Sequence, residues 1–359
     1  MEIQDSGQPA QQNAPRTSGP SVDPTALRRA QGCPLGQIAG DSLGSLVEFR
    51  SSAEIRRRYP DGPCLLEDDG PLSPWHTLAG QPTDDSELAL ALARAIVATG
   101  GYDREAVAQA YVGWYRSAPF DCGTTIGHAL GAVSGDDLQG NRVAARLLAS
   151  ASPTSQANGS LMRISPLGIW GHALPLDQLA DLARDDSKLT HPQPICQESC
   201  AVFVVAVSRG IVGGAARSSV YQQTLDWATA NGREPAVLAT LRRAAAEPPG
   251  DYQRNQGWVL IALQNAFYQL LHAPSLEEGV VQSVVAGGDA DTNAAIAGAL
   301  LGAVHGLAAI PAQWREKVLA CRPAAGLANV RRPRPEEYWP VDALELAAQL
   351  VHAGQETTV

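Results

Sequence analysis

The 359-residue sequence has no run of clean apolar–polar alternation, which argues against a fold built on half-buried strands. It has no C-x-x-C pair either. Its six cysteines, Cys33, Cys64, Cys122, Cys196, Cys200 and Cys321, are scattered, so a zinc ribbon is not expected. Cys196 and Cys200 stand four apart with no matching histidine pair and read as reduced core cysteines. The net charge is −10, the wrong sign for a nucleic-acid surface, which needs clustered Lys and Arg. A nucleic-acid partner is therefore not expected, whereas cation binding is compatible with the charge. The opening MEIQDSGQPAQQNAPRTSGP carries neither a basic n-region nor an apolar h-region, which predicts a cytoplasmic home.

What is present is helical. With 45% hydrophobic residues a sizeable core can form. Residues 1–26, rich in Gln, Pro, Ser and Gly, read as a disordered tail; residues 27–353 read as one domain; residues 354–359 read as a flexible tail. Helical periodicity recurs over Glu87–Val97, Ile195–Ile211, Trp258–Leu271, Leu276–Val285, Ala294–Ala309 and Val341–Val351. Clusters such as RYPDGP, EPPGDYQRN and RRPRPEEYWP read as loops between them. The fold class predicted is all-α. Thr292 to Trp314 contains no Asp, Glu, Lys or Arg and carries Gly298, Gly302 and Gly306 at GxxxG spacing, a pattern that membrane spans share. Its Ala and Gly content, with Asn293 and His305 inside it, fits a buried helix better, and no membrane is expected.

Residues 40–49, GDSLGSLVEF, match two esterase patterns at once, the GDSL block and the G-x-S-x-G nucleophile elbow. Neither survives. The residues before Ser42 show no β-branched strand, no histidine has an Asp three positions ahead, and G-x-N-D is absent. Ser42 is then a packed helix residue, which leaves Asp41 in need of a partner.

Two acidic clusters open helices. In Pro82-Thr83-Asp84-Asp85-Ser86-Glu87 the plain reading is capping by Thr83 or Asp84; the alternative is a set of hard-oxygen ligands for Mg²⁺, Mn²⁺ or Ca²⁺. In Gly287-Gly288-Asp289-Ala290-Asp291-Thr292 two carboxylates and a hydroxyl precede a very apolar helix, more than one cap requires. Two such helix mouths facing each other would hold one or two divalent cations. No EF-hand loop occurs.

Taken together, GDSLGSLVEF, PTDDSELALAL and GGDADTNAAIAGALLGAVHG resemble, in order, three blocks of the ADP-ribosylglycohydrolase family, with FDCGTT, NGSLMRISPLGIW and THPQP between them. The resemblance runs from about Gly32 to about Gly306. It implies a single multi-helix orthogonal bundle with a binuclear Mg²⁺ or Mn²⁺ site in a central cleft. The metal ligands it implies are Thr83, Asp84, Asp85, Asp289, Asp291 and Thr292. Glu48 would be a nearby acid touching metal or substrate, and Asp41 a brace. Implied substrate contacts are Asp121, Gly123, Thr124, Asn158, Gly159, Ser160, Met162 and His191. Read without the resemblance, Met162 is packing, Asn158-Gly159 a turn, and His191 a core residue at a helix entry.

The activity implied is hydrolysis of the glycosidic bond joining ADP-ribose to a protein side chain, arginine-linked by preference, on an ADP-ribosylated protein partner. Asp84, Asp85 or Glu48 would take a proton from water, and Asp291 would be essential. The alternatives are a serine-linked or O-acetyl-ADP-ribose hydrolase and a non-catalytic ADP-ribose binder. Ser86 stands where the family has Thr, and Cys122 and Thr124 depart from the form of arginine-directed members.

Overall fold

Asp23 and Pro24 open the first helix among the described residues. The computed structural model describes residues 23–213 and 216–357, so the tail expected over residues 1–26 lies, up to residue 22, outside the described residues. Helix Pro24–Gly44 starts ahead of the boundary expected after residue 26. The cause is local: Asp23 accepts from the N–H groups of Thr25 and Ala26, and Pro24 fills a first-turn position that needs no N–H. At the other end, helix Ala343–Glu356 runs into the stretch expected as a tail.

Among the described residues there are 17 α-helices and no strand, which makes the protein all-α. The six periodic segments fall within or largely within Asp84–Thr99, Pro194–Gly213, Val259–His272, Leu276–Ala286, Ala290–His305 and Ala343–Glu356. The periodicity reading named neither Arg104–Arg116 nor Leu176–Lys188; in the second, Arg184 and Asp186 interrupt the buried apolar stripe. Helix Pro194–Gly213 is long and apolar enough to cross a membrane, yet 78% of its most apolar window is buried inside the protein, as for a core helix.

Two helices at the centre set the position of everything else. Pro24–Gly44 and Ala290–His305 run antiparallel along facing glycines. A Cβ on Gly302 would stand 2.0 Å from the Gly32 carbonyl oxygen, and one on Gly298 would stand 2.1 Å from that of Gly36. Only hydrogen fits there, so the backbones touch. The small-residue stripe of the sequence therefore packs against a second stripe on the first helix, inside the bundle. Near its end the same seam puts Gly44 against Asp291, where a Cβ would lie 2.3 Å from the Asp291 Cα. The last turn of the first helix is thus delivered to the N-terminus of Ala290–His305.

Candidate active site and metal centre

Three acidic segments meet at that end of the seam. Glu48 follows the first helix by one turn. Two isolated backbone bridges, Ser51 to Gly287 and Ala157 to Trp258, tie neighbouring loops together around it. Asp84 and Asp85 arrive through Asp41. Its carboxylate accepts from Thr83 N–H (3.1 and 3.2 Å), the Thr83 hydroxyl (2.9 Å) and Ser86 N–H (3.1 Å). Asp41 therefore caps helix Asp84–Thr99 from another helix, the brace expected of it. Ser42 is buried, its Oγ accepting from Gly80 N–H at 2.9 Å, with no histidine bonded to it among the described residues.

The capping readings of the acids fail on geometry. Neither Thr83 nor Asp289, which occupy the two N-cap positions, makes a side-chain cap bond. Of their carboxylate neighbours, Asp291 accepts from the Thr292 N–H (2.9 Å) and Asp84 turns to another segment. Ligand atoms of Glu48, Asp289 and Asp291 all lie within 4.8 Å of one another. Asp289 accepts from Asn158 Nδ2 (2.6 Å), Asp84 from Gly123 N–H (3.0 Å), and Glu48 from the Trp75 indole N–H. Asp85 Oδ1 accepts from the Thr292 hydroxyl at 3.1 Å, while Asp85 Oδ2 is buried with no partner at all.

These acids hold one another's protons on. Burial first, and then the neighbouring Asp289, raises Glu48 to about 8. Burial, then Asp84 and Glu48, raises Asp121 to about 10. Asp85 and Asp291 are also pushed well up, by burial and then by other carboxylates. Among the described residues no Lys or Arg lines the cleft. A buried group of carboxylates with an orphaned oxygen and no basic partner is a site that lacks its counter-charge, and an all-oxygen donor set fits a hard divalent cation. The acidic cluster can hold a metal.

The cleft above it has a volume of about 430 Å³, enough for a ligand of nucleotide size. Of the residues expected at the substrate, Asp121, Gly123 and Thr124 line one side, and Asn158, Gly159, Met162 and His191 line another. Glu48, Asp84, Asp289, Asp291 and Thr292 are also in its wall. Three expected residues stand behind it. Ser160 is buried with its hydroxyl 2.9 Å from Ser187 Oγ, Thr83 turns its hydroxyl to Asp41, and Asp85 is 1% exposed beneath the Thr292 hydroxyl. The Asn158 N–H is taken by the Gly257 carbonyl (2.9 Å).

Residues 23–355 match the sequence profile of the family described as ADP-ribosylglycohydrolase. The chain belongs to that family. Among relatives, it is 27% identical to "ADP-ribosylarginine hydrolase Tri1" of Pseudomonas putida (strain GB-1), over 89% of this chain and 82% of that one. It is 28% identical to "ADP-ribosyl-[dinitrogen reductase] glycohydrolase" of Rhodospirillum rubrum, over 84% and 92%. It is 22% identical to human "ADP-ribosylhydrolase ARH3", over 81% and 89%. A solved structure titled "ADP-ribosylglycohydrolase-related protein complex" superposes with a TM-score of 0.71 and 25% identity, covering 92% of this chain and 99% of that one. As an ADP-ribosylglycohydrolase the protein is a hydrolase of ADP-ribose glycosidic bonds.

Sequence reasoning missed several residues of this ADP-ribosylglycohydrolase cleft. Trp75 and Phe49 line it, as do Gln256 and Gly257. Phe49 closes the GDSLGSLVEF block, and its signal is that of a bulky apolar residue directly after the site's acid. Trp75 lies in a loop without periodicity, so nothing local marked it.

Proposed function

We propose that the protein removes ADP-ribose from arginine side chains of modified proteins, in the cytoplasm, with two Mg²⁺ or Mn²⁺ ions as cofactors. The observation that carries the metal-dependent reading is the set of Glu48, Asp84, Asp85, Asp289 and Asp291, buried together with no Lys or Arg among the described lining residues. Asp84, Asp85, Asp289, Asp291 and Thr292 would hold the ions, with Thr83 as their support. Such ions supply a Lewis-acidic, positively charged floor that orients the sugar and acidifies water.

The chain's own groups divide the remaining work. Glu48, oriented by the Trp75 indole, or Asp84, oriented by the Gly123 N–H, takes a proton from the attacking water. The water oxygen bonds to the anomeric carbon, the carbon–nitrogen bond breaks, and the guanidine leaves with the proton. Carboxylates around the sugar stabilise positive charge as it develops on the ring. Asp121, Gly123 and Thr124 on one wall and Gly159, Met162 and His191 on the other bound the remainder of the ligand.

Arginine is favoured by what surrounds Glu48. Phe49 is 53% exposed and lies in the cleft wall beside Trp75. It is held at φ +64°, unusual for a bulky residue, by its N–H bond to the Gly288 carbonyl (2.8 Å). An aromatic face next to carboxylates suits a planar cation such as guanidinium. Two relatives, one named for ADP-ribosylarginine and one for modified dinitrogen reductase, point the same way. The six free cysteines suit a reducing compartment.

The test is release of ADP-ribose from arginine-linked, serine-linked and O-acetyl substrates with Mg²⁺, with Mn²⁺ and with EDTA. Release from the arginine-linked substrate, abolished by EDTA, is expected. Release confined to another substrate removes the acceptor assignment. Binding of ADP-ribose without release from any substrate replaces the enzyme by a binder.

A further inference from the structure

His191 is fully buried, yet it lines the cleft, and its Nε2 has no hydrogen-bond partner. The other side of the ring is tied into a chain of buried groups. Arg163 and Asp186 form an ion pair with both side chains at 0% exposure: Arg163 Nε and Nη2 donate to Asp186 Oδ2 at 3.2 and 3.1 Å. The Tyr111 hydroxyl donates to Asp186 Oδ1 (2.9 Å), and the guanidinium stacks 4.2 Å over the Tyr111 ring. These bonds fix the guanidinium in place. Its Nη1 then donates to the Thr190 hydroxyl oxygen at 2.8 Å, and that hydroxyl lies 2.8 Å from His191 Nδ1.

The direction of the last bond follows from counting protons. An arginine in a protein is always a donor, so the Thr190 oxygen accepts from it. That oxygen could accept a second bond, but the buried hydroxyl hydrogen needs an acceptor, and among the described residues His191 Nδ1 is the one it reaches, so the O–H is satisfied only where Nδ1 is bare. Burial and the nearby Arg163 charge keep the ring uncharged, with its pKa down at about 3. A neutral ring bare at Nδ1 carries its proton on Nε2.

We propose that Thr190, held by Arg163 and Asp186, is a positioning residue that locks the tautomer of His191, so that the cleft wall presents an uncharged Nε2–H donor to an oxygen of the bound ligand. A buried N–H without a partner is costly, and an acceptor oxygen on the ligand removes that cost on binding. The inference rests on the proposed function only for the identity of the probe, ADP-ribose. A neutral donor has a particular use in this cleft. It can bind an oxygen without placing a second cation in competition with metal ions for the carboxylates.

The experiment compares full-length wild type, Thr190→Val and Thr190→Ser. Ring ¹⁵N spectra, with His191 assigned by its absence in His191→Ala, report which nitrogen carries the proton. Titration with ADP-ribose reports affinity, and thermal melting confirms folding. Wild type and Thr190→Ser are expected to show the Nε2–H form and equal affinity. Thr190→Val, matched in shape but with no hydroxyl, is expected to lose that single form and to bind ADP-ribose roughly tenfold more weakly. The proposal is overturned by a wild-type proton on Nδ1, or by a folded Thr190→Val that keeps both tautomer and affinity. A wild type that binds no ADP-ribose overturns the functional reading instead, and the spectra still decide whether Thr190 sets the tautomer.

Discussion

At the scale of single residues, the site depends on carboxylates whose ordinary structural uses are taken over by others. Asp41 does the capping at Thr83 and Ser86, and this releases Asp84 and Asp85. Asn158 orients Asp289, and Thr292 orients Asp85. Phe49 is the residue at this scale whose role can be separated from the acids. A ring over a guanidinium is worth about 0.5–2 kcal/mol, or about 2- to 30-fold. Phe49→Ala is therefore expected to lower kcat/KM for an arginine-linked substrate within that range while leaving affinity for free ADP-ribose unchanged. Equal loss on both ligands would make Phe49 a general wall residue, and no loss would remove it from acceptor recognition.

Much of the residue-level site was legible because each acidic block is contiguous: Asp84 with Asp85, and Asp289 with Asp291 and Thr292. What was not legible depends on partners far away in sequence. The Trp75 indole meets Glu48 across 27 positions, and Asp41 meets Thr83 across 42. No local pattern encodes such pairs. Ser160 is the converse case: its motif is local, but its hydroxyl accepts from Ser187, a partner that no local pattern encodes.

At the scale of elements, the glycine seam between Pro24–Gly44 and Ala290–His305 positions the site. Its helical nature could be read from composition, but its partner could not, because a small-residue stripe does not say which other stripe it meets. Any side chain in the seam must push two backbones apart. Gly302→Ala is expected to destabilise the protein by at least about 1–3 kcal/mol. Gly113, exposed in helix Arg104–Arg116 with nothing within 4 Å of an added Cβ, is the control with opposite sign. Gly113→Ala is expected to stabilise by about 0.5–1 kcal/mol. Chemical denaturation with unchanged slope measures both. A neutral Gly302→Ala would mean that the seam yields, and the account of how Glu48 reaches Asp291 would fail with it.

At the scale of the whole molecule, the late loop packs against the helix that carries Asp84 and Asp85. Arg334, in a stretch read from the sequence only as a Pro-rich connection, donates to Glu87 from Nε and Nη2 at 2.8–3.0 Å, and both side chains are 2% exposed. This buried pair ties the late loop to helix Asp84–Thr99, while the segments around Glu48, Asp84 and Asp289 converge on one cluster of acids. That convergence, with divalent cations as its counter-charge, is the central claim. The most direct measurement is anomalous diffraction from crystals of the full chain grown with Mn²⁺, with Asp291→Asn as the comparison. Two peaks bounded by the carboxylates of Asp84, Asp85, Asp289 and Asp291 are expected in the wild type, with at least one lost in Asp291→Asn. Wild-type crystals with no anomalous peak among these carboxylates would contradict it.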